Sequence, residues 1–166
     1  MNYFKKIFIT FLSALILTVV NTSSSFAKVE GDTIVLGAAV SLTGKYSSNG
    51  VHTQNGYNLA VERINSMGGV KVKGKNYKFK IIYYDDESNS GRAAQLAERL
   101  IKQDGVQYML GPYSSGLTKA MAPVTEKYKI PMVEANGASR SLFTKGYKYL
   151  FAVLAPANLY LDVAID

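Results

Sequence analysis

The chain of 166 residues contains no cysteine and a single histidine, His52. Without cysteine there is no disulfide and no anchor for the thioether lipid of a bacterial lipoprotein. Small secreted folds that cannot build a large core usually need disulfides, so this composition favours a larger, well-packed architecture. One histidine gives little support to a metal site or a Ser-His-Asp triad, and an exposed position in the first turn of a helix explains it.

Motifs of catalysis and cofactor binding are also missing. The sequence holds no G-x-S-x-G nucleophile elbow and no G-x-G-x-x-G dinucleotide fingerprint. The consecutive acids Asp85, Asp86 and Glu87 could be a metal cluster or an acid/base pair, but acids just before a helix are more simply explained by its N-terminus. We therefore expect no enzyme, no cofactor and no metal site.

Long hydrophobic runs are limited to one near the start of the chain. The run from Ile7 to Val20 carries no charge, follows Lys5 and Lys6, and precedes Ser25-Phe26-Ala27. It is shorter than the roughly 20 residues that cross a bilayer. A basic start, an apolar middle and a small-x-Ala site are typical of a secretory signal peptide, here residues 1–27, which predicts a soluble exported protein beginning at Lys28.

Excess positive charge is modest. Removing Lys5 and Lys6 with the signal peptide reduces the formal net charge of +7 to +5. The lysines between Lys71 and Lys80 alternate with apolar residues, which predicts a two-stranded ribbon with one solvated face. We therefore expect no nucleic-acid partner.

Short apolar segments alternate with segments of helical periodicity from residue 33 onwards. Strands are predicted at Thr33–Ala39, Phe79–Tyr84, Val106–Leu110, Met132–Glu134 and Tyr149–Val153. Helices are predicted at Val51–Ser66, Arg92–Gln103 and Gly116–Tyr128, with a single turn near Leu142. This order implies βαβ units and an α/β fold with a doubly wound parallel sheet.

The first two predicted helices each carry residues at helical spacing. In the first these are Leu59, Ala60, Arg63 and Ile64. In the second they are Ala93, Leu96, Ala97, Leu100 and Ile101, preceded by capping side chains at residues 88–90. The segment Leu159–Asp166 is typical of the opening of a helix without a C-cap, so we interpret the sequence as an N-terminal fragment.

Three loops follow predicted strands at the edge where open parallel sheets bind ligands. They are Ser41–Gly50, Gly111–Gly116 and Ala135–Ser139. The second leads into a helix, so its backbone N–H groups and the hydroxyls of Ser114 and Ser115 could bind a carboxylate. The simpler alternative is that these serines only cap the helix.

The loop Ala135–Ser139 offers similar chemistry, because Gly137 and Ala138 allow close backbone approach and Asn136 and Ser139 are polar. The alternative is that Asn136 and Gly137 only make a turn. Tyr46 and Tyr113 lie in loops where they could stack on a ligand.

Taken in order, these segments resemble a known family. The quoted stretches are TIVLGAAVSLTGKYSSNG, NGYNLAVERINSMGGV, YKFKIIYYDDESNSGRAAQLAERLI, GVQYMLGPYSSG and KIPMVEANGASRSLFTKGYKYLF. They are similar to the periplasmic branched-chain amino-acid-binding proteins of leucine-binding type, the solute-binding components of ABC transporters. The resemblance covers nearly all of Thr33 to Phe151.

The resemblance implies a fold and a function. Residues 28–154 would be the first lobe of a two-lobed type I periplasmic binding protein, and residues 155–166, from near Pro156, would start the second. Two lobes of this kind close on a small amino acid or related carboxylate in the periplasm and then dock on the membrane permease. A ligand-sensing receptor ectodomain with the same lobes is the alternative.

The resemblance also implies site residues. Ser115 falls on the serine that binds the ligand carboxylate, and Asn136, Gly137, Ala138 and Ser139 fall on the small-residue loop that supplies backbone and hydroxyl contacts. Asn49 occupies a position that is often aromatic in leucine binders, which implies a more polar or differently shaped ligand. With Tyr113 and Ser114 from the neighbouring loop, these are the predicted binding residues.

Overall fold

A mostly parallel sheet forms the centre of the structure, a computed structural model that describes residues 28–161. Its strands are β1 (Val29–Glu30), β2 (Thr33–Val40), β3 (Val70–Val72), β4 (Lys75–Asp85), β5 (Met109–Leu110), β6 (Met132–Glu134) and β7 (Leu150–Ala152). The helices are α1 (Ser47–Ser66), α2 (Ser90–Lys102) and α3 (Ser115–Tyr128), with 3-10 turns at Arg140–Leu142 and Ala157–Leu159. The predicted signal peptide lies outside the described residues.

The strand order is β3-β4-β2-β5-β6-β7, with β1 pairing with β2. The pairs β2–β4, β2–β5, β5–β6 and β6–β7 are parallel, and α1, α2 and α3 connect successive strands among them. The predicted α/β class and doubly wound parallel sheet are confirmed. The predicted ribbon is also confirmed, since β3 and β4 pair antiparallel with Val72 opposite Lys75.

The main core lies between the sheet and the helices α2 and α3. On this side β2 contributes Val35 and Ala39, both fully buried. Gly37 stands between them because a Cβ there would lie 2.8 Å from Val106 Cγ2. The predicted stripe of α2 is confirmed by the burial of Ala93, Leu96, Ala97 and Leu100, with Ile101 partly buried. Burying each large aliphatic side chain stabilises the fold by roughly 1.5–3 kcal/mol.

Helix α1 packs against β2 and β4 from the opposite face of the sheet. The predicted helix is confirmed, but the face of α1 that meets the sheet is not the one carrying Leu59, whose exposed fraction is 67%. The buried residues of α1 are Gly50 and Thr53. A Cβ on Gly50 would lie 1.8 Å from the carbonyl oxygen of Ser41, so the helix approaches that strand end at backbone distance.

The far end of α1 is fixed by an amide. The Asn65 side chain donates to the carbonyl oxygen of Phe79 and accepts from its N–H group, both at 2.8 Å. Polar contacts and a glycine therefore set the rotation of α1, and hydrophobic periodicity cannot report such contacts.

Element bounds differ from the prediction at several elements. Helix α1 begins at Ser47 and not at Val51, and β5 is shorter than the predicted strand Val106–Leu110. Val106 instead donates its N–H to the carbonyl oxygen of Leu100, which ties it to the end of α2. Of the predicted final helix, only residues 159–161 are described, and there Leu159 ends a 3-10 turn that is not continued as a helix. Within residues 28–161, no helix is both long and apolar enough to span a bilayer.

Candidate functional site

Three loops follow the carboxyl ends of β2, β5 and β6. These strands are parallel neighbours, so the loops at residues 41–46, 111–114 and 135–139 emerge at one edge of the sheet. The predicted convergence of the three segments is confirmed. This edge is where open α/β sheets bind ligands.

The loop after β2 is held by two acids that end β4. Asp85 accepts hydrogen bonds from the N–H groups of Leu42 (2.9 Å) and Thr43 (3.2 Å) and from the Thr43 hydroxyl (2.7 Å). Asp86 is fully buried and accepts one from the Ser41 hydroxyl at 2.6 Å. Burial raises the pKa of Asp86, while the pKa of Asp85 is lowered because its hydrogen bonds outweigh the effect of its partial burial.

Asp85 and Asp86 therefore bind a neighbouring loop and not a helix, whereas Glu87 pairs with a residue of α2. Asn89 is the N-cap of α2, accepting from the N–H of Arg92 at 3.0 Å, and the first turn of α2 holds no acid. Glu87 pairs with the Arg92 guanidinium at 3.2 Å. The prediction that Asp85 and Asp86 serve the helix N-terminus is wrong, because their partners come from the loop after β2 and from the turn itself.

The loop after β5 leads into α3 through Ser114. This residue adopts a φ of 82°, and its hydroxyl accepts a hydrogen bond from the N–H of Leu117 at 3.4 Å. The simpler interpretation, that Ser114 caps the helix, is thus supported. At the start of the loop, Gly111 accepts a hydrogen bond from the Tyr57 hydroxyl at 2.7 Å, which joins α1 to the loop.

Glu134 lies fully buried at the end of β6 and holds the loop that follows. Its Oε2 accepts hydrogen bonds from the N–H groups of Asn136 (3.1 Å) and Gly137. Its Oε1 is buried and has no partner in the part of the chain that the structure describes. Burial raises the pKa of Glu134, and burial followed by the Glu134 charge raises the pKa of Tyr57. Two backbone donors that were predicted to face a ligand are thus occupied by a carboxyl group of the protein.

Ser115 joins the loops after β5 and β6. Its hydroxyl oxygen accepts a hydrogen bond from the N–H of Ser139 at 3.0 Å. Because that bond uses a lone pair, the hydroxyl proton of Ser115 remains available for another acceptor. The N–H groups of Ser115 and Gly116 lie in the first turn of α3 and have no intrahelical acceptor. This rim can therefore donate several hydrogen bonds to an anionic oxygen.

A cleft of about 410 Å³ opens between α1 and these loops. Its lining residues are Asn49, His52, Thr53, Gly56, Tyr57, Tyr113, Ala135 and Asn136. Tyr113 meets Tyr46 edge to face, with ring centroids 5.5 Å apart and planes at 65°. Since Tyr46 packs against the core cluster, it supports Tyr113 at the rim.

The structure brings the predicted site residues to the same sheet edge in three different settings. Asn49, Tyr113 and Asn136 line the cleft. Ser115 and Ser139 are bonded to each other, while Ser114 caps α3 and Gly137 is buried against Glu134. Ala138 accepts a hydrogen bond from the N–H of Ala157 at 2.8 Å. Their roles in binding a ligand remain predictions.

Sequence reasoning missed the part of the cleft that α1 forms. His52, Thr53, Gly56 and Tyr57 line it together with Asn49. His52 is exposed on a helix, as predicted, but it lies in the second turn and not the first, because α1 begins at Ser47, and it lines the cleft. The spacing from residue 49 to 57 corresponds to one face of a helix and was the available signal. Within residues 28–161, no group of three His, Cys, Asp or Glu side chains is arranged to hold a metal ion.

Comparison with known proteins places this arrangement among binding proteins. The chain matches the periplasmic binding protein family over residues 33–164. It is 26% identical over 133 residues to the leucine-, isoleucine-, valine-, threonine- and alanine-binding protein of Pseudomonas aeruginosa, covering 80% of this chain and 34% of that protein. The chain thus spans about a third of the length of this relative.

Solved structures similar to this chain are also binding proteins of transporters. One is a branched-chain amino acid transporter substrate-binding protein of Streptococcus pneumoniae in complex with isoleucine, with a TM-score of 0.67 and 31% identity over 74% of this chain and 34% of the other. Another is an ABC transporter solute-binding protein of R. palustris in complex with 4-hydroxybenzoate, with a TM-score of 0.59 and 31% identity over 73% of this chain and 31% of the other. Both similar structures hold small carboxylic acids.

Proposed function

This chain belongs to the periplasmic binding protein family, and we propose that it is the solute-binding component of an ABC transporter. In this role it captures a branched-chain amino acid, or a related small amino acid or amide, outside the cytoplasm. It then delivers the ligand to a membrane permease. The proposal includes export through a cleaved signal peptide at residues 1–27 and a periplasmic location. The family binds solutes, so we propose no covalent chemistry.

The observation that carries this proposal is the pairing of Ser115 with Ser139. The bond between Ser139 N–H and Ser115 Oγ leaves the Ser115 hydroxyl proton free to donate, next to N–H groups in the first turn of α3 that have no acceptor within that helix. Donors without acceptors at a helix N-terminus suit a carboxylate. The ligands named for the similar structures, isoleucine and 4-hydroxybenzoate, both carry one.

We expect a thermal-shift screen of the protein at its full natural length to identify the ligand class. The melting temperature should rise with amino acids or small carboxylates, in step with the ratio of their concentration to the dissociation constant. No shift with any of these compounds, in a protein that melts cooperatively, would refute the proposal.

Ser115→Ala should weaken binding of the ligand found in that screen. The variant removes one hydrogen bond to a charged group, worth about 1.5–3 kcal/mol, so titration calorimetry should show affinity reduced by roughly tenfold or more. Ser66→Ala is the matched control, because Ser66 is exposed at the far end of α1 and its hydroxyl donates to the Arg63 carbonyl oxygen of the same helix. Equal affinities for the two variants would remove Ser115 from the site.

A further inference from the structure

The α1 wall of the cleft is polar along its whole length. Asn49, His52, Thr53 and Tyr57 line it, with Gly56 between them. The hydroxyl of Thr53 donates to the Asn49 carbonyl oxygen at 2.9 Å, and the hydroxyl of Tyr57 is bonded to Gly111. These two hydroxyls have their protons committed within the protein.

Other polar groups of the cleft are uncommitted. The side chains of Asn49 and His52 are exposed and make no hydrogen bond with any residue in the described range 28–161. The side-chain amide of Asn136, across the cleft, is equally free within that range. An amide offers donors and acceptors together, and a neutral imidazole offers one of each. The cleft thus presents mixed hydrogen-bonding capacity on both sides.

Charged side chains do not accompany these hydrogen-bonding groups. Among the described lining residues there is no Lys, Arg, Asp or Glu. A charged side group bound against these lining residues would lose water and meet no Lys, Arg, Asp or Glu among them, so this wall favours a neutral group. An aliphatic side group would fare little better, because closing it against Asn49 and His52 would leave their polar atoms unpaired.

We propose that this cleft selects a small amino acid with a neutral hydrogen-bonding side group, a carboxamide or a hydroxyl, and that Asn49 and His52 determine this specificity. The inference rests on the proposed solute-binding function and narrows it. The α-carboxylate binds at the Ser115 rim, and the side group binds between α1 and Asn136. Donor and acceptor atoms of a primary amide then match those of Asn49.

The test compares ligands of equal shape on the full-length protein by titration calorimetry. Leucine, asparagine and aspartate have the same branching of non-hydrogen atoms but carry an aliphatic, a neutral polar and a charged side group, and valine and threonine form a second matched pair. Asparagine should bind at least about tenfold more tightly than leucine and aspartate, and threonine more tightly than valine, because a site built for hydrogen bonds rejects ligands that lack them.

The double variant Asn49→Leu/His52→Leu should reverse the order of leucine and asparagine. Asn55→Leu is the control, since Asn55 is exposed on the same helix but does not line the cleft, and it should keep the original order. Tighter binding of leucine by the unaltered protein would overturn this inference and leave the proposed function standing. Tighter binding of aspartate would overturn it in favour of a charge-reading role for His52. Failure of all five amino acids to bind would overturn this inference, while the proposed function would still be judged by the thermal-shift screen.

Discussion

Individual carboxyl groups shape this sheet edge from inside the protein. Glu134 accepts two backbone N–H groups of the loop after β6, and its second oxygen has no partner among residues 28–161. Asp86 has the same character below the loop after β2, where its Oδ2 is also unpartnered within that range. Burial raises the pKa of both groups. Burial of each carboxyl group costs some folding free energy, and its hydrogen bonds hold the neighbouring loop in one conformation.

The variant Glu134→Gln tests the cost of burying this carboxyl group through the pH dependence of the free energy of unfolding. Because the pKa of Glu134 is raised above its usual 4.5 in the folded state, the folded protein binds a proton more tightly than the unfolded chain. The contribution of Glu134 to the free energy of unfolding is therefore greatest when it is protonated and falls as pH rises above about 4.5. The glutamine variant stays neutral, so its stability relative to the unaltered protein should increase from pH 4 to pH 7.

Urea denaturation at several pH values measures this difference. Glu62→Gln, at an exposed carboxylate of α1, removes a charge without touching the loop and serves as the control. If the Glu134→Gln difference stayed constant across the pH range, the Glu134 carboxyl group would not be the buried titrating group described above.

At the scale of the elements, helix α1 is positioned by backbone contact. Its residue Gly50 lies against the carbonyl oxygen of Ser41, whereas Gly56, two turns later, has no atom within 4 Å of where a Cβ would stand. The two glycines share one helix and differ only in surroundings. Substituting each of them by alanine therefore separates the steric effect of close backbone contact from the entropic cost of glycine in a helix.

Gly50→Ala should destabilise the protein, and Gly56→Ala should stabilise it. The first introduces a methyl group 1.8 Å from a backbone oxygen, and such overpacking costs typically 1–3 kcal/mol or more. The second gains roughly 0.5–1 kcal/mol because alanine has less backbone entropy to lose in a helix. Thermal and urea unfolding measure both, and similar effects of the two substitutions would contradict the packing of α1 described here.

At the scale of the whole molecule, the described part of the sheet has an open apolar groove of about 340 Å³. Its lining residues are Ile34, Leu36, Val70, Val72, Phe79, Tyr108, Met109, Leu110, Pro131 and Val133. Val133 at its edge is 39% exposed. Single exposed apolar residues are normal on protein surfaces, but a contiguous apolar patch such as this one is a surface that can bind apolar molecules.

We expect this groove in the present chain to bind the dye ANS, whose fluorescence reports exposed apolar surface. Val133→Lys should lower the fluorescence because it places a charge at the edge of the groove. Val153→Lys is the control, since Val153 is 74% exposed and does not line the groove. Equal fluorescence of the two variants would show that the dye binds elsewhere.

Much of the fold followed from local pattern. A segment rich in apolar and β-branched residues marked β2, and the stripe Ala93–Leu100 marked the buried face of α2. These elements are stabilised by burial of their own side chains, so their periodicity carries the signal. The rotation of α1 did not follow, because Gly50 and Asn65 position it through backbone contacts that have no hydrophobic period.

Local pattern along the chain is enough to establish the alternation of strands and helices, and therefore that the loops holding Ser115 and Ser139 emerge at one edge of a parallel sheet. Which donors at that edge lack a partner within residues 28–161 depends on how the separate elements pack. Glu134 occupies the N–H groups of Asn136 and Gly137, whereas Ser115 keeps its hydroxyl proton. Hydrogen bonds between residues distant in sequence make this choice, because they depend on the packing of separate elements and leave no trace in local periodicity.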